Sequence, residues 1–140
     1  CEFLVKGVKS LQDMALKKGW ADYEAKKVYL HGYCMSPRVQ TTHFLESVEH
    51  YVRYTLHKGD MDDFIDWPFE HKIRMSVIHP AEGTEHVLEV EPSRHAPNNQ
   101  KPTIGNVGLC FPYPFLDLKA LITDGYVDND QLRIKWELLP

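Results

Sequence analysis

Near its C-terminus the chain reads QLRIKWEL, in which Leu132, Ile134, Trp136 and Leu138 alternate with Gln131, Arg133, Lys135 and Glu137. Extended backbone sends successive side chains to opposite faces, so this run is a strand with one dry and one wet side. Wound as a helix, the same four apolar residues would scatter around the circumference. The period returns in KIRMSVI, with Ile73, Met75 and Val77 in phase, and in YVRYTLH, with Val52, Tyr54 and Leu56. EHVLEVE and EFLVKG are shorter cases, and VYLHGYCMSPRVQT is a further strand region interrupted at Ser36-Pro37, where a proline implies an edge position or a bulge. Turn-forming runs (HKGDMDD, HPAEGTE, PSRHAPNNQKP and TDGYVDND) separate these segments. Helical pattern is confined to SLQDMALKKG, with Ser10 as N-cap and Gly19 just past the end, and to FLDLKAL. Without longer helices a parallel sheet has no crossover connections. The expectation is an all-β fold: an antiparallel β-sandwich of about seven to eight strands with one or two short helices. A length of 140 residues fits one domain, residues 1–140.

Charge and composition narrow the function. The net charge is −4 and no Lys/Arg run stands out, which argues against nucleic acid as a partner. No apolar stretch is long enough to span a bilayer, so membrane insertion is not expected. The abrupt start at Cys1 reads as a domain cut from a longer protein. Three cysteines, Cys1, Cys34 and Cys110, do not form a disulfide framework, and a reducing compartment, the cytoplasm, is the simpler inference. The eight histidines are scattered, and His31-Gly-Tyr-Cys34 lacks the second ligand pair that zinc requires. No metal and no cofactor are expected. The acidic run DMDDFID matches no calcium-loop spacing and reads as a solvated turn. Within a strand, His31 and Cys34 point to opposite faces, so a core cysteine beside a surface histidine is favoured over a catalytic pair. No catalytic residues are assigned.

One segment resists this pattern. QKPTIGNVGLCFPYPFLDL, residues 100–118, carries Phe111, Tyr113 and Phe115 among prolines and glycines, with little charge. It cannot be helical and is a poor central strand. Rigid aromatic faces beside a sheet edge are what an added peptide strand needs for its alternate side chains, and the segment is expected to flank the sheet without extending it. Phe111 and Tyr113, two apart, share one face of an extended backbone.

The order of four motifs resembles a known family. Trp67-Pro68-Phe69, Glu85-His86, Asn99-Gln100-Lys101-Pro102 and Tyr126-Val127-Asp128-Asn129-Asp130 follow one another as in the C-terminal domain of the tumour-necrosis-factor-receptor-associated factors, the TRAF-C or MATH domain. The likeness covers roughly residues 30 to 138 and leans towards the member-six branch. It implies a peptide groove. Phe111 and Tyr113 would cradle a proline of the bound peptide, and Arg38, six residues after Gly32 in GYCMSPR, would meet the peptide's aromatic or acidic end. Leu109 stands where the branch has a lysine, Arg53 where it has a phenylalanine, and Ala96-Pro97-Asn98 where other members carry serines, which adds Leu109, Arg53, Pro97 and Asn98 to the expected site. A second arginine favours an acidic or C-terminal carboxylate end over an aromatic one.

By this resemblance the chain is an adaptor domain, not an enzyme, reading short linear peptide motifs of receptors or signalling adaptors. Its parent would be a RING-type ubiquitin ligase, trimerised by an upstream coiled coil. Residues 1–140 hold no heptads, so the fragment alone is compatible with a monomer. The competing reading is a MATH substrate-recognition domain of another ubiquitin-system protein, a ligase adaptor or a deubiquitinase.

Overall fold

A computed structural model of the chain describes residues 1–93, 95–102 and 109–140, with the backbone alone for Asn98 and residues 109–113. The first half runs β1 (Glu2–Lys6), α1 (Val8–Lys18), β2 (Trp20–Glu24), β3 (Val28–Leu30), β4 (Tyr33–Phe44) and β5 (Ser47–His57). The second half adds β6 (Ile73–Ile78), β7 (Glu85–Val90), β8 (Leu109–Asp117), α2 (Leu118–Thr123) and β9 (Gln131–Leu138). Short 3-10 turns lie at Asp62–Phe64 and Pro97–Asn99. Every ladder is antiparallel. One sheet has the order β1-β9-β6-β7; the other has β2-β4-β5-β8, with β3 also paired to β4. The β-sandwich is as expected, with nine strands among the described residues.

The alternation seen in the sequence builds the core. Leu132, Ile134, Trp136 and Leu138 of β9 and Ile73, Met75 and Val77 of β6 face Met35 and Val39 of β4 and Val52, Tyr54 and Leu56 of β5, all of them buried. Removing these side chains from water is the main force holding the two sheets together.

Three of the four motifs that carried the resemblance have a clear physical role. Phe69 is fully buried against the rings of Tyr33 (4.9 Å between centroids) and Tyr54 (5.6 Å). Trp67 donates its indole N–H to the carbonyl of Asp62 (2.8 Å). Asn99, also fully buried, accepts from the Tyr54 hydroxyl, donates to the Ser93 carbonyl (2.8 Å) and offers its own carbonyl to the Phe69 N–H (2.7 Å). The Asn129-Asp130 turn, with both residues at positive φ, holds the start of α1. The Asp130 carbonyl accepts from the N–H groups of Gly7 and Val8 (3.1 Å each), and its carboxylate accepts from Lys9 N–H (2.8 Å).

That last contact corrects the expected cap. The helix starts at Val8, so Ser10 lies inside it, and the orphan N–H groups of its first turn are met by a residue far along the chain. Gly19 does close the helix, in the left-handed region at φ 98. The acidic run is not fully solvated either: Asp62 is buried and its carboxylate accepts from Gly59 N–H (2.9 Å).

Two further expectations change. Proline 37 sits in an interior strand, neither at an edge nor at a bulge. β3 pairs with Tyr33–Met35 of β4 and β2 pairs with Arg38–Thr42, so Pro37 falls at the junction between two short partners. Its carbonyl accepts from Ala25 N–H (2.8 Å). A strand residue's N–H and C=O point the same way, so the missing donor faces the gap between β2 and β3. The proline-rich segment, expected to leave the sheet unextended, supplies β8. As the edge strand beside β5, it tolerates proline because one flank needs no donors.

Candidate peptide-binding face

The five-stranded sheet turns its second face away from the core. Cross-strand register sets the residues there in rows. Trp20, Thr42, Glu49 and Asp117 form one row; Asp22, Gln40, Tyr51 and Phe115 the next; Glu24, Arg38, Arg53 and Cys110 the third. Arg38 and Arg53 are therefore directly opposite each other, an arrangement of like charges that on its own destabilises a sheet.

Asp22 resolves that conflict from the neighbouring row. Both Nε (2.8 Å) and Nη2 of Arg38 donate to its Oδ2. Arg53 Nη1 lies 3.7 Å from its Oδ1. Glu24 adds a second carboxylate 3.7 Å from Arg38 Nε. Arg38 Nη1 also donates to Thr55 Oγ1 (3.0 Å), and Arg53 Nη1 donates to Gln40 Oε1 (3.3 Å). The three central side chains are partly shielded from solvent, at 18% exposure for Arg38, 17% for Arg53 and 12% for Asp22. At that burial a guanidinium–carboxylate pair joined by two charge-assisted hydrogen bonds to one oxygen is stronger than a surface ion pair. Around the cluster, Ser36 bonds His57 (2.8 Å), whose basicity is lowered by burial and by the charge of Lys27. Tyr51 donates to Glu49 (2.5 Å) and packs on the half-exposed ring of Phe115 (5.6 Å).

Of the expected site residues, the structure brings Arg38 and Arg53 together. The side chains of Phe111, Tyr113, Leu109 and Asn98 lie outside the described residues. Their backbone is informative for β8. Tyr51 pairs with Phe115 and Arg53 with Cys110, so residues 111–114 have no register partner on β5. This irregular stretch lies alongside Arg53. Pro97 is exposed on its 3-10 turn, and among the described residues no hydrogen bond or ion pair links it to the arginines. Sequence reasoning missed Asp22, Gln40, Tyr51, Thr55 and Phe115 as parts of this face. A signal for Asp22 was present in WADYE, where Trp20, Asp22 and Glu24 share one side of a short extended run.

Two antiparallel sheets packed face to face, one with a polar, arginine-bearing outer face, define the class as a β-sandwich. The TRAF/meprin MATH-domain family model matches residues 26–135, and the chain belongs to that family. Two curated relatives are both TNF receptor-associated factor 6. The one from Danio rerio is 35% identical over 86 residues, 59% of this chain and 16% of the relative. The one from Xenopus tropicalis is 31% identical over 93 residues, 61% of this chain and again 16% of the relative. The chain thus spans about one sixth of the length of the curated relatives it matches. The structure of Notothenia coriiceps TRAF5 superposes with a TM-score of 0.79 at 20% identity, covering 99% of this chain and 72% of that one, a likeness of fold. Among the described residues no helix is long and apolar enough to cross a membrane.

Proposed function

We propose that residues 1–140 act as one peptide-binding adaptor domain of a TRAF-like signalling protein. Its ligands are short proline- and acid-containing motifs of receptors or adaptors, bound along β8 with their acidic end at Arg38. The supporting observation is positional: register sets the unpaired stretch 111–114 of an edge strand beside the Arg38–Arg53 row. An extended peptide gains backbone hydrogen bonds at such an edge, while aromatic and cationic side chains select its residues. Affinity for one site is of order micromolar. The parent protein is read as a cytoplasmic RING-type ubiquitin ligase that trimerises upstream of this domain and gains avidity that way.

A calorimetric titration with a proline–acidic peptide tests the site. Arg38→Ala and Tyr113→Ala are each expected to weaken binding about tenfold or more, as for truncation of a central interface anchor. Undiminished binding by both variants rejects the site.

A further inference from the structure

We infer that Asp22 is a built-in competitor for the peptide's acidic end, and so sets which ligands the face accepts. This rests on the peptide-binding reading above. The bidentate fork of Arg38 is the feature that would read a ligand carboxylate, and it is already filled: Nε and Nη2 both donate to Asp22 Oδ2. The second arginine does not leave a surplus of positive charge. Asp22 and Glu24 balance Arg38 and Arg53 one for one. Two buried atoms within this cluster have no hydrogen-bond partner among the described residues, Asp22 Oδ1 and Arg53 Nε. A carboxylate content in its position would saturate its neighbours. This one bonds Arg38 well and Arg53 poorly, through a 3.7 Å approach to Nη1 that does not reach Nε–H. Asp22 is also carried on β2, an edge strand of five residues, so the competitor stands on the less secured side of the pair.

The consequence is selectivity by displacement. An acidic ligand must replace Asp22 on Arg38 and gains by also satisfying Arg53 Nε–H, which Asp22 does not reach. A ligand with a single weak acceptor cannot displace it. Like-charge opposition of the arginines disfavours an empty fork.

The experiment compares wild type, Asp22→Asn and Glu24→Gln. Acetate is titrated into each while the Arg38 and Arg53 Nε–H signals are followed by NMR, and the proline–acidic peptide is then titrated by calorimetry. In wild type, acetate is expected to leave both signals unmoved. In Asp22→Asn both should shift and saturate, and the peptide should bind about tenfold tighter, the scale of one close charge pair. Glu24→Gln adds the same unit of positive charge without vacating the fork, so its signals should stay silent. Equal acetate responses in wild type and Asp22→Asn overturn the inference, as does a Glu24→Gln response matching that of Asp22→Asn, which would reduce the effect to net charge. Should Asp22→Asn fail to fold, the Asp22→Asn/Arg53→Gln double variant removes the like-charge opposition and reads Arg38 alone by the same criterion. If no protein in the set binds the peptide while acetate still shifts the Asp22→Asn signals, the peptide reading fails and the competitor role of Asp22 stands.

Discussion

Replacing Phe69 with alanine is expected to lower the unfolding free energy by about 3–5 kcal/mol, the range for deleting a fully buried aromatic ring. The ring has no exposure, and it is enclosed by Tyr33, Tyr54 and His71, the last at 5.9 Å between centroids. Tyr33 and Tyr54 belong to β4 and β5, so the ring ties the loop ahead of β6 to the opposite sheet. Its backbone N–H bonds Asn99, which in turn takes the Tyr54 hydroxyl, and collapse around the cavity would disturb that network as well. Domains of this kind are stable by only about 5–15 kcal/mol, so the loss is a large fraction of the total. A urea titration measures it directly. A shift under about 1 kcal/mol, the size of an ordinary surface substitution, would show that the ring does not hold the sheets together.

Acid should destabilise the fold through the fully buried imidazole of His50 above all. His50 is buried on the inner face of β5, where its Nδ1 pairs with Thr41 Oγ1 (2.9 Å) and its Nε2 has no partner among the described residues. Burial pushes its pKa down from 6.5 to about 4. The unfolded chain takes up a proton near the ordinary value while the folded protein resists until much lower. Above pH 6.5 the folded state keeps its full stability; as pH falls towards 4 the unfolded state is progressively favoured, by about 3 kcal/mol once both values are passed. His50→Gln, which retains a polar group beside Thr41, should flatten the stability profile between pH 6.5 and 4 by that amount. Identical wild-type and variant slopes across this window would place the acid sensitivity elsewhere.

What the sequence disclosed followed from period and punctuation. β9 alternates cleanly because one face lies on the core, and β5 and β6 keep the same period on their apolar side, although Glu49, Thr55 and Ser76 on the opposite side are buried too. β3 falls within the strand region VYLHGYCMSPRVQT, whereas β2 buries only Ala21 and so shows little apolar alternation. The α1 cap was unreadable for a different reason: its partner, Asp130, lies 121 residues away from Lys9. The same holds at the face. GYCMSPR marked Arg38 through its spacing, but nothing local could show that Asp22 would fill its fork, since that contact exists only once β2 has paired with β4. The family match supports the fold on which Arg38 is placed and does not extend to the residue that covers it, because Asp22 precedes the matched span.

The seam at Pro37 gives this arrangement a mechanical side. Along that flank β4 is stitched to two separate tabs, joined across the seam by the bond from Ala25 N–H to the Pro37 carbonyl (2.8 Å), while the proline itself supplies no donor. Peeling can start at Trp20, run through Asp22 and stop at the proline while β3 stays zipped. Opening of β2 independently of β3 is expected to appear as faster deuterium uptake across residues 20–24 than across residues 28–30; equal uptake would show that the two tabs open together.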